Sequence, residues 1–230
     1  GGEQAQDLAL AQADGPQTPN YTGARPAPLH VPRFRNVQEK RRDYVRGYQL
    51  NAGAFPLDWQ RGLRMPGFGA EFKNMLRRRG PWQVILGAQC ECLPRKENVL
   101  TLDPVVKDAW GIPALHIDMT WSDNERAMRE ESTATVLEML EAAGYRNVIR
   151  IPVDPIPGTA IHEMGGAPMG RNPKTSVLNA FNQCHDIPNL LVTDGACMAS
   201  SSSANPSLTY MALTARACAH ASEELKRGTI

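Results

Sequence analysis

A chain of 230 residues with 42% hydrophobic content can bury a substantial core, as one large domain or two small ones. Its formal net charge of +1 gives no surplus of either sign, so nucleic acid and an anionic membrane surface are not expected as partners. Five cysteines, an odd count without framework spacing, predict no disulfide scaffold, and no apolar run reaches membrane-spanning length or forms a signal segment.

Residues 1–30 are rich in Gly, Gln, Ala and Pro without a sustained period, and are expected as an irregular arm. From His30 to Phe55, Val31, Phe34, Val37, Tyr44, Val45, Tyr48 and Leu50 alternate with charge and predict strand segments of a mixed sheet. Ala70 to Arg79 reads as a short basic helix stopped by Gly80-Pro81. Its arginines, like Lys40-Arg41-Arg42, are read as a solvated face or helix end. Trp82 to Cys92 is the strongest strand of the first half, with Val84, Leu86, Ala88, Cys90 and Cys92 on one face. Gln89 and Glu91 fall on the other, facing either a substrate cavity or solvent. Asn98–Asp103 and Pro113–Thr120 predict two more strands, Asp123 to Ala143 a long amphipathic helix stopped by Gly144, and Val148–Val153 another strand. Pro152, Pro155 and Pro157 then force an extended crossover.

The last third carries three devices in series: His162 with a glycine-rich turn, an apolar run Leu190–Thr193 ending in Asp194-Gly195, and a helix opening at Asn205-Pro206. The run predicts a buried strand with a sharp turn at its carboxyl end. Asn205 is expected as the N-cap and Pro206 at the first helical position. Leu208, Met211, Ala212, Ala215, Cys218 and Ala219 form a narrow stripe of mostly small residues, expected to pack close to another backbone. Strand, turn and helix read either as an ordinary βα unit or as half of a cofactor cradle, since a helix N-terminus favours an anion.

His162-x-x-Gly165-Gly166-x-x-Met169-Gly170, Ser176-Val177, Leu191-Val192-x-Asp194-Gly195 and Asn205-Pro206, in this order, resemble the C-terminal signature of the glucose-methanol-choline (GMC) family of FAD-dependent oxidoreductases. Where many members carry Gly-Thr-Cys after the histidine, this chain has Gly165-Gly166-Ala167. It thereby resembles the bacterial branch of sugar and glycoside (glucoside 3-) dehydrogenases and oxidases. Lys96-Glu97-Asn98 and Asp108-x-Trp110-Gly111-Ile112-Pro113 resemble the substrate-domain sheet of that branch. The likeness is densest over residues 150–227, thinner over 80–125 and faint before that.

The resemblance implies an α/β fold. An α+β substrate-binding domain, residues 1–160, has its mixed sheet covered by helices, and residues 161–230 complete a Rossmann-like FAD-binding domain. It implies oxidation of a secondary hydroxyl of a sugar or glycoside to a ketone, with hydride passing to flavin N5. His162 is the implied base and Asn205 its partner on the substrate oxygen or the flavin. Asp194, Gly195 and Ala196 match positions that meet the ribityl and pyrophosphate portion. The helix start at Asn205, Pro206, Ser207 and Leu208 points at the pyrimidine edge of the ring. The implied partners are a sugar or glycoside, an N-terminal FAD-binding half or second chain, and a small subunit or cytochrome electron acceptor. A periplasmic location is implied ahead of a cytoplasmic one.

Gly67-x-Gly69 lacks a third glycine and a leading strand, so no dinucleotide fingerprint is present. The chain also opens at Gly1 without methionine. We therefore expect the C-terminal part of a longer or split enzyme, unable alone to hold FAD tightly. His162-Glu163-Met164-Gly165-Gly166 lacks the second histidine of a zinc protease, and Ser200–Ser203 lacks the hydrolase elbow. His30, His116, His185 and His220 have no motif context and are read as structural. The alternative function is a non-catalytic carbohydrate-binding or capping module.

Overall fold

The computed structural model describes residues 5–13, 29–41, 43–151, 156–159 and 161–230. Among the described residues, seven strands and three α-helices follow in chain order: β1 (Ala5–Ala13), β2 (Leu29–Val31), β3 (Tyr48–Pro56), α1 (Gly69–Arg77), β4 (Trp82–Cys90), β5 (Val99–Lys107), β6 (Pro113–Asp118), α2 (Asp123–Ala142), β7 (Arg146–Ile151) and α3 (Ser207–Arg227). Five strands form one sheet in the order β2-β3-β4-β1-β7, and β5 pairs with β6 apart from it. Every pairing between these strands is antiparallel, where a mixed sheet was expected.

The register explains the core. Tyr48, Leu50 and Ala52 stand opposite Cys90, Ala88 and Leu86, while Ala9 and Ala11 stand opposite Leu86 and Val84. Directly opposed residues share a face, so these side chains form one apolar surface. Met128, Val136 and Leu140 of α2 close it. Tyr48 is buried, but its hydroxyl reaches Glu131 at 2.5 Å and Thr135 at 3.1 Å on α2. Burial first, then the Glu131 hydrogen bond, pushes that phenol up to about 12. α2 starts with a capping box, in which Asn124 N–H donates to Ser122 Oγ at 3.2 Å and Glu125 accepts from the Ser122 N–H at 2.9 Å. Glu125 also accepts the N–H of Leu93 at 3.0 Å, tying the helix to the chain leaving β4.

The largest correction is β1. Residues expected as an irregular arm include a central strand between β4 and β7. Alanine and glutamine have little β preference of their own. The strand forms because Ala9 and Ala11 are small enough to lie beneath α2 and because β4 and β7 offer two open ladders. β5 runs on through Asp103-Pro104, expected as its end, with a register shift after Leu102. Its pairing with β6 leaves Leu102, Val105, Ile112 and Leu115 more than half exposed. The expected crossover prolines Pro152 and Pro155 lie outside the described residues.

Candidate functional site

The site grows from a second, smaller core: Leu178, Cys184 and Cys197 packed with Ala167, Met169, Val192, Met198 and Leu213. Leu190–Thr193 supplies only an isolated bridge, Leu191 to Gln183, where a buried strand was expected. Leu190 is 44% exposed, so the apolar run is not enclosed on both faces. Asn182 holds this region instead. Fully buried and left-handed at φ 63°, it donates Nδ2 to the Val192 carbonyl at 2.9 Å and accepts from Arg216 of α3 at 3.2 Å. Asparagine tolerates that backbone region better than most residues. Sequence reasoning missed it because a lone loop asparagine looks like any turn former.

The His162 loop is stitched to the Asp194 turn by backbone bonds. Ala167 N–H donates to the Ala196 carbonyl at 2.8 Å, and Met169 N–H donates to the Cys197 carbonyl at 2.9 Å. Asp194 caps a short 3-10 helix, Gly195–Cys197, by accepting the Ala196 N–H at 2.9 Å. The N–H of Ala196 is thus engaged by Asp194. Gly195 is buried where three segments meet. A methyl group there would lie 2.6 Å from the Tyr210 hydroxyl and closer still to the Glu163 carbonyl oxygen. The residue after His162 and the first turn of α3 therefore both press on the Asp-Gly turn.

His162 adopts the left-handed region at φ 70°, sparsely populated for a residue with a side chain. Its Nδ1 is sealed from solvent without a hydrogen-bond partner. Such an atom in a native fold calls for a partner or a function. Asn205 is exposed and the helix begins one residue later than expected, with Pro206 at the cap position. No side chain caps the start of α3, leaving the first-turn N–H groups of Ser207 and Leu208 without a side-chain acceptor. An uncapped helix end and an orphaned imidazole nitrogen are each features that a bound anionic or redox group such as FAD would satisfy. Nothing among the described residues resembles a metal cluster.

Gln89 lies near the end of β4 and Glu91 just past it. Gln89 accepts from Gln49 Nε2 at 2.6 Å, and Glu91 forms an ion pair with Arg33 at 2.8 Å. Three of the other histidines have local partners: His30 with Asn51, His185 with Ser176 and the Gly170 carbonyl, and His220 stacked on Phe181 at 4.1 Å. The stripe on α3 faces outward, with Leu208 77% and Met211 62% exposed, whereas Ala217 and Leu213 turn inward.

The C-terminal-domain model of the GMC oxidoreductases matches residues 94–214. The chain is 30% identical over 215 residues to the 2-methyl-1,2-propanediol dehydrogenase of Mycolicibacterium austroafricanum, covering 86% of this chain and 36% of that protein. It is 32% identical over 168 residues to the fructose dehydrogenase large subunit of Gluconobacter japonicus, covering 73% and 30%. With the C-glycoside 3-oxidase of Arthrobacter globiformis it shares 28% identity over 143 residues, covering 62% and 27%. The chain spans about a third of the length of these relatives. A match over more than half of its residues, running through both the hairpin and the His162 loop, makes the chain a member of the GMC oxidoreductase family.

Proposed function

We propose that this chain is the catalytic C-terminal part of an FAD-dependent enzyme that oxidises a secondary hydroxyl of a sugar or glycoside to a ketone. The observation that carries the reading is the sealed, unpartnered Nδ1 of His162, on a loop stitched to the Asp194 turn, in a chain of this family. His162 takes the hydroxyl proton as the carbon is oxidised. The exposed amide of Asn205 steadies the substrate oxygen and keeps the carbinol oriented. When bound, FAD supplies the acceptor for the hydride, which no side chain can provide. The uncapped start of α3, at Pro206, Ser207 and Leu208, and the turn of Asp194, Gly195 and Ala196 line its place, the helix end favouring negative charge.

On this reading residues 1–160 serve the substrate and residues 161–230 complete the flavin domain. Most of the flavin is held by a nucleotide-binding region of the same polypeptide or of a second chain. The outward stripe of α3 supports that division, because Leu208 and Met211 are large apolar side chains left in water. An electron acceptor, whether a small subunit or a cytochrome, completes the cycle. Fructose and C-glycosides, named for two of the relatives, favour a sugar substrate. The diol dehydrogenase supplies the competing substrate to test. Anaerobic mixing of the flavin-loaded enzyme with fructose, a C-glycoside or 2-methyl-1,2-propanediol decides the class. Bleaching of flavin absorbance by a sugar supports the proposal. Bleaching by the diol alone would replace the substrate, and no bleaching by any alcohol would leave a binding module.

A further inference from the structure

β3 and β4 are neighbouring antiparallel strands, which a two-residue turn could join. Residues 57–81 join them instead. This excursion leaves the sheet at a closed neck, where Leu57 N–H donates to the Pro81 carbonyl at 3.0 Å and Gly80 N–H to the Leu57 carbonyl at 2.9 Å. Beyond the neck a 3-10 helix, Trp59–Arg64, lies beside α1. Arg61 staples the two, donating to the Leu57 and Asp58 carbonyls on its own side and to those of Met75 at 2.8 Å and Arg78 at 2.6 Å on the other. Phe72 and Leu76, one turn apart, face inward: a methyl group on Gly67 would strike the Phe72 ring, and one on Gly62 would strike Leu76. The exposed Lys73 and Arg77 form the adjoining row on the solvent side. Neither helix has a buried residue, so the excursion adds no buried side chain to the core.

Connections in compact domains are short, and one that gives the core nothing needs another reason to be kept. Its surface joins two chemistries. A groove of about 370 Å³ is walled by Trp59 and Leu76 and edged by Lys73 and Arg77–Arg79, with Asp58 the one acid lining it. Trp59, Leu63 and Phe68 are 61%, 80% and 94% exposed. Over residues 57–81 six Lys and Arg stand against Asp58 and Glu71, a local surplus of four on a chain whose formal charge is +1. A sum over the whole chain hides this cluster, which is why composition alone pointed away from an anionic surface. An acidic protein would answer the charge but gives no reason for large apolar side chains to stand in water beside it. Cations behind exposed Trp, Leu and Phe are the composition of a segment that lies in a membrane interface. We infer that this excursion is a docking surface for an anionic phospholipid bilayer. Trp59, Leu63 and Phe68 enter the boundary between headgroups and acyl chains, and Lys73, Arg77 and Arg78 meet the lipid phosphates. The contact is peripheral, for no described helix is long and apolar enough to cross a membrane. It does not depend on the residues proposed for catalysis.

The test is sedimentation of the flavin-loaded enzyme containing this chain with two kinds of vesicle, phosphatidylcholine alone and equal parts phosphatidylcholine and phosphatidylglycerol. Binding to the mixed vesicles should be about tenfold or more tighter, and should weaken as salt is raised. Leu63→Ser with Phe68→Ser removes the apolar contact, and Lys73→Gln with Arg77→Gln removes two charges. Each pair should weaken binding to the mixed vesicles about tenfold or more. All four side chains are exposed, so both variants should keep their flavin. If a pair loses flavin, Phe68→Ser or Lys73→Gln alone decides by the same binding. Equal binding to the two vesicles overturns the inference, and so does binding that either variant leaves unchanged. Absence of vesicle binding overturns it as well, and retention on immobilised polyglutamate would then assign the surface to an acidic protein.

Discussion

Ala167 gives its backbone N–H to the carbonyl of Ala196 at 2.8 Å, and with that bond the loop carrying His162 is fixed to the turn carrying Asp194. No side chain takes part, so side-chain replacements around it leave the joint intact unless they push the backbone apart. Gly195 is where that can happen.

Gly195→Ala would bring a methyl group against the Tyr210 hydroxyl, 2.6 Å away, and against the Glu163 carbonyl. Overpacking of this kind costs about 1–3 kcal/mol. Urea unfolding should show that loss, and Tyr210→Phe in the same chain should recover part of it by removing one of the two overlaps. A Gly195→Ala chain as stable as the parent would mean the turn yields freely.

Asn182→Ala should destabilise the chain by about 1–3 kcal/mol, because a part-buried acceptor at Val192 and a donor at Arg216 both lose their partner. Asn182→Asp retains the acceptor toward Arg216 and should lose less. Denaturation midpoints of the two variants, ranked in the opposite order, would contradict the pinning role.

These two residues show how far the sequence could be read. The family was legible because four motifs, from His162 to Asn205-Pro206, stand in the expected order, and α2 because its apolar period lies between Asp123 and a glycine stop. Asn182 and Gly195 work through backbone conformation and close approach, which leave no periodic trace. β1 was lost because Ala9 and Ala11 are chosen by the space under α2 rather than by strand propensity. The stripe of α3 was read as packed against another backbone, and within this chain the helix turns it outward. Its inward face mixes Leu213 and Ala217 with Thr214, which donates its hydroxyl to the Tyr210 carbonyl at 2.8 Å.

Stability should vary with pH at both ends of the range. Burial raises the Glu131 carboxyl, but hydrogen bonds from Tyr48 and Tyr44 and the charge of Arg35 outweigh it and hold it low. A carboxyl depressed in the fold stabilises above its unfolded pKa, and that contribution disappears as pH falls through the folded value. The Tyr48 phenol runs the other way: raised from 10.0 to about 12, it contributes stability below pH 10 that is lost as pH climbs to about 12. Glu131→Gln should flatten the acid limb of a stability profile and Tyr48→Phe the alkaline limb. Unaltered limbs would dissociate this network from the titration.

Cys218 is exposed on the outward stripe, while Cys90, Cys92, Cys184 and Cys197 are buried. In the chain alone a thiol reagent should label Cys218 first. In the enzyme complete with its nucleotide-binding region, labelling should slow about tenfold or more, since access governs thiol reactivity. Equal rates in the two preparations would mean that the stripe is not the surface the flavin-holding region covers.

The central claim concerns the imidazole of His162, and stopped-flow reduction of the flavin-loaded His162→Ala enzyme by the proposed sugar substrate tests it most directly. Removal of the base should slow flavin bleaching about a hundred- to ten-thousandfold while bound flavin and substrate affinity stay near the parent values. Bleaching at the parent rate, with flavin fully bound, would show that another group takes the proton.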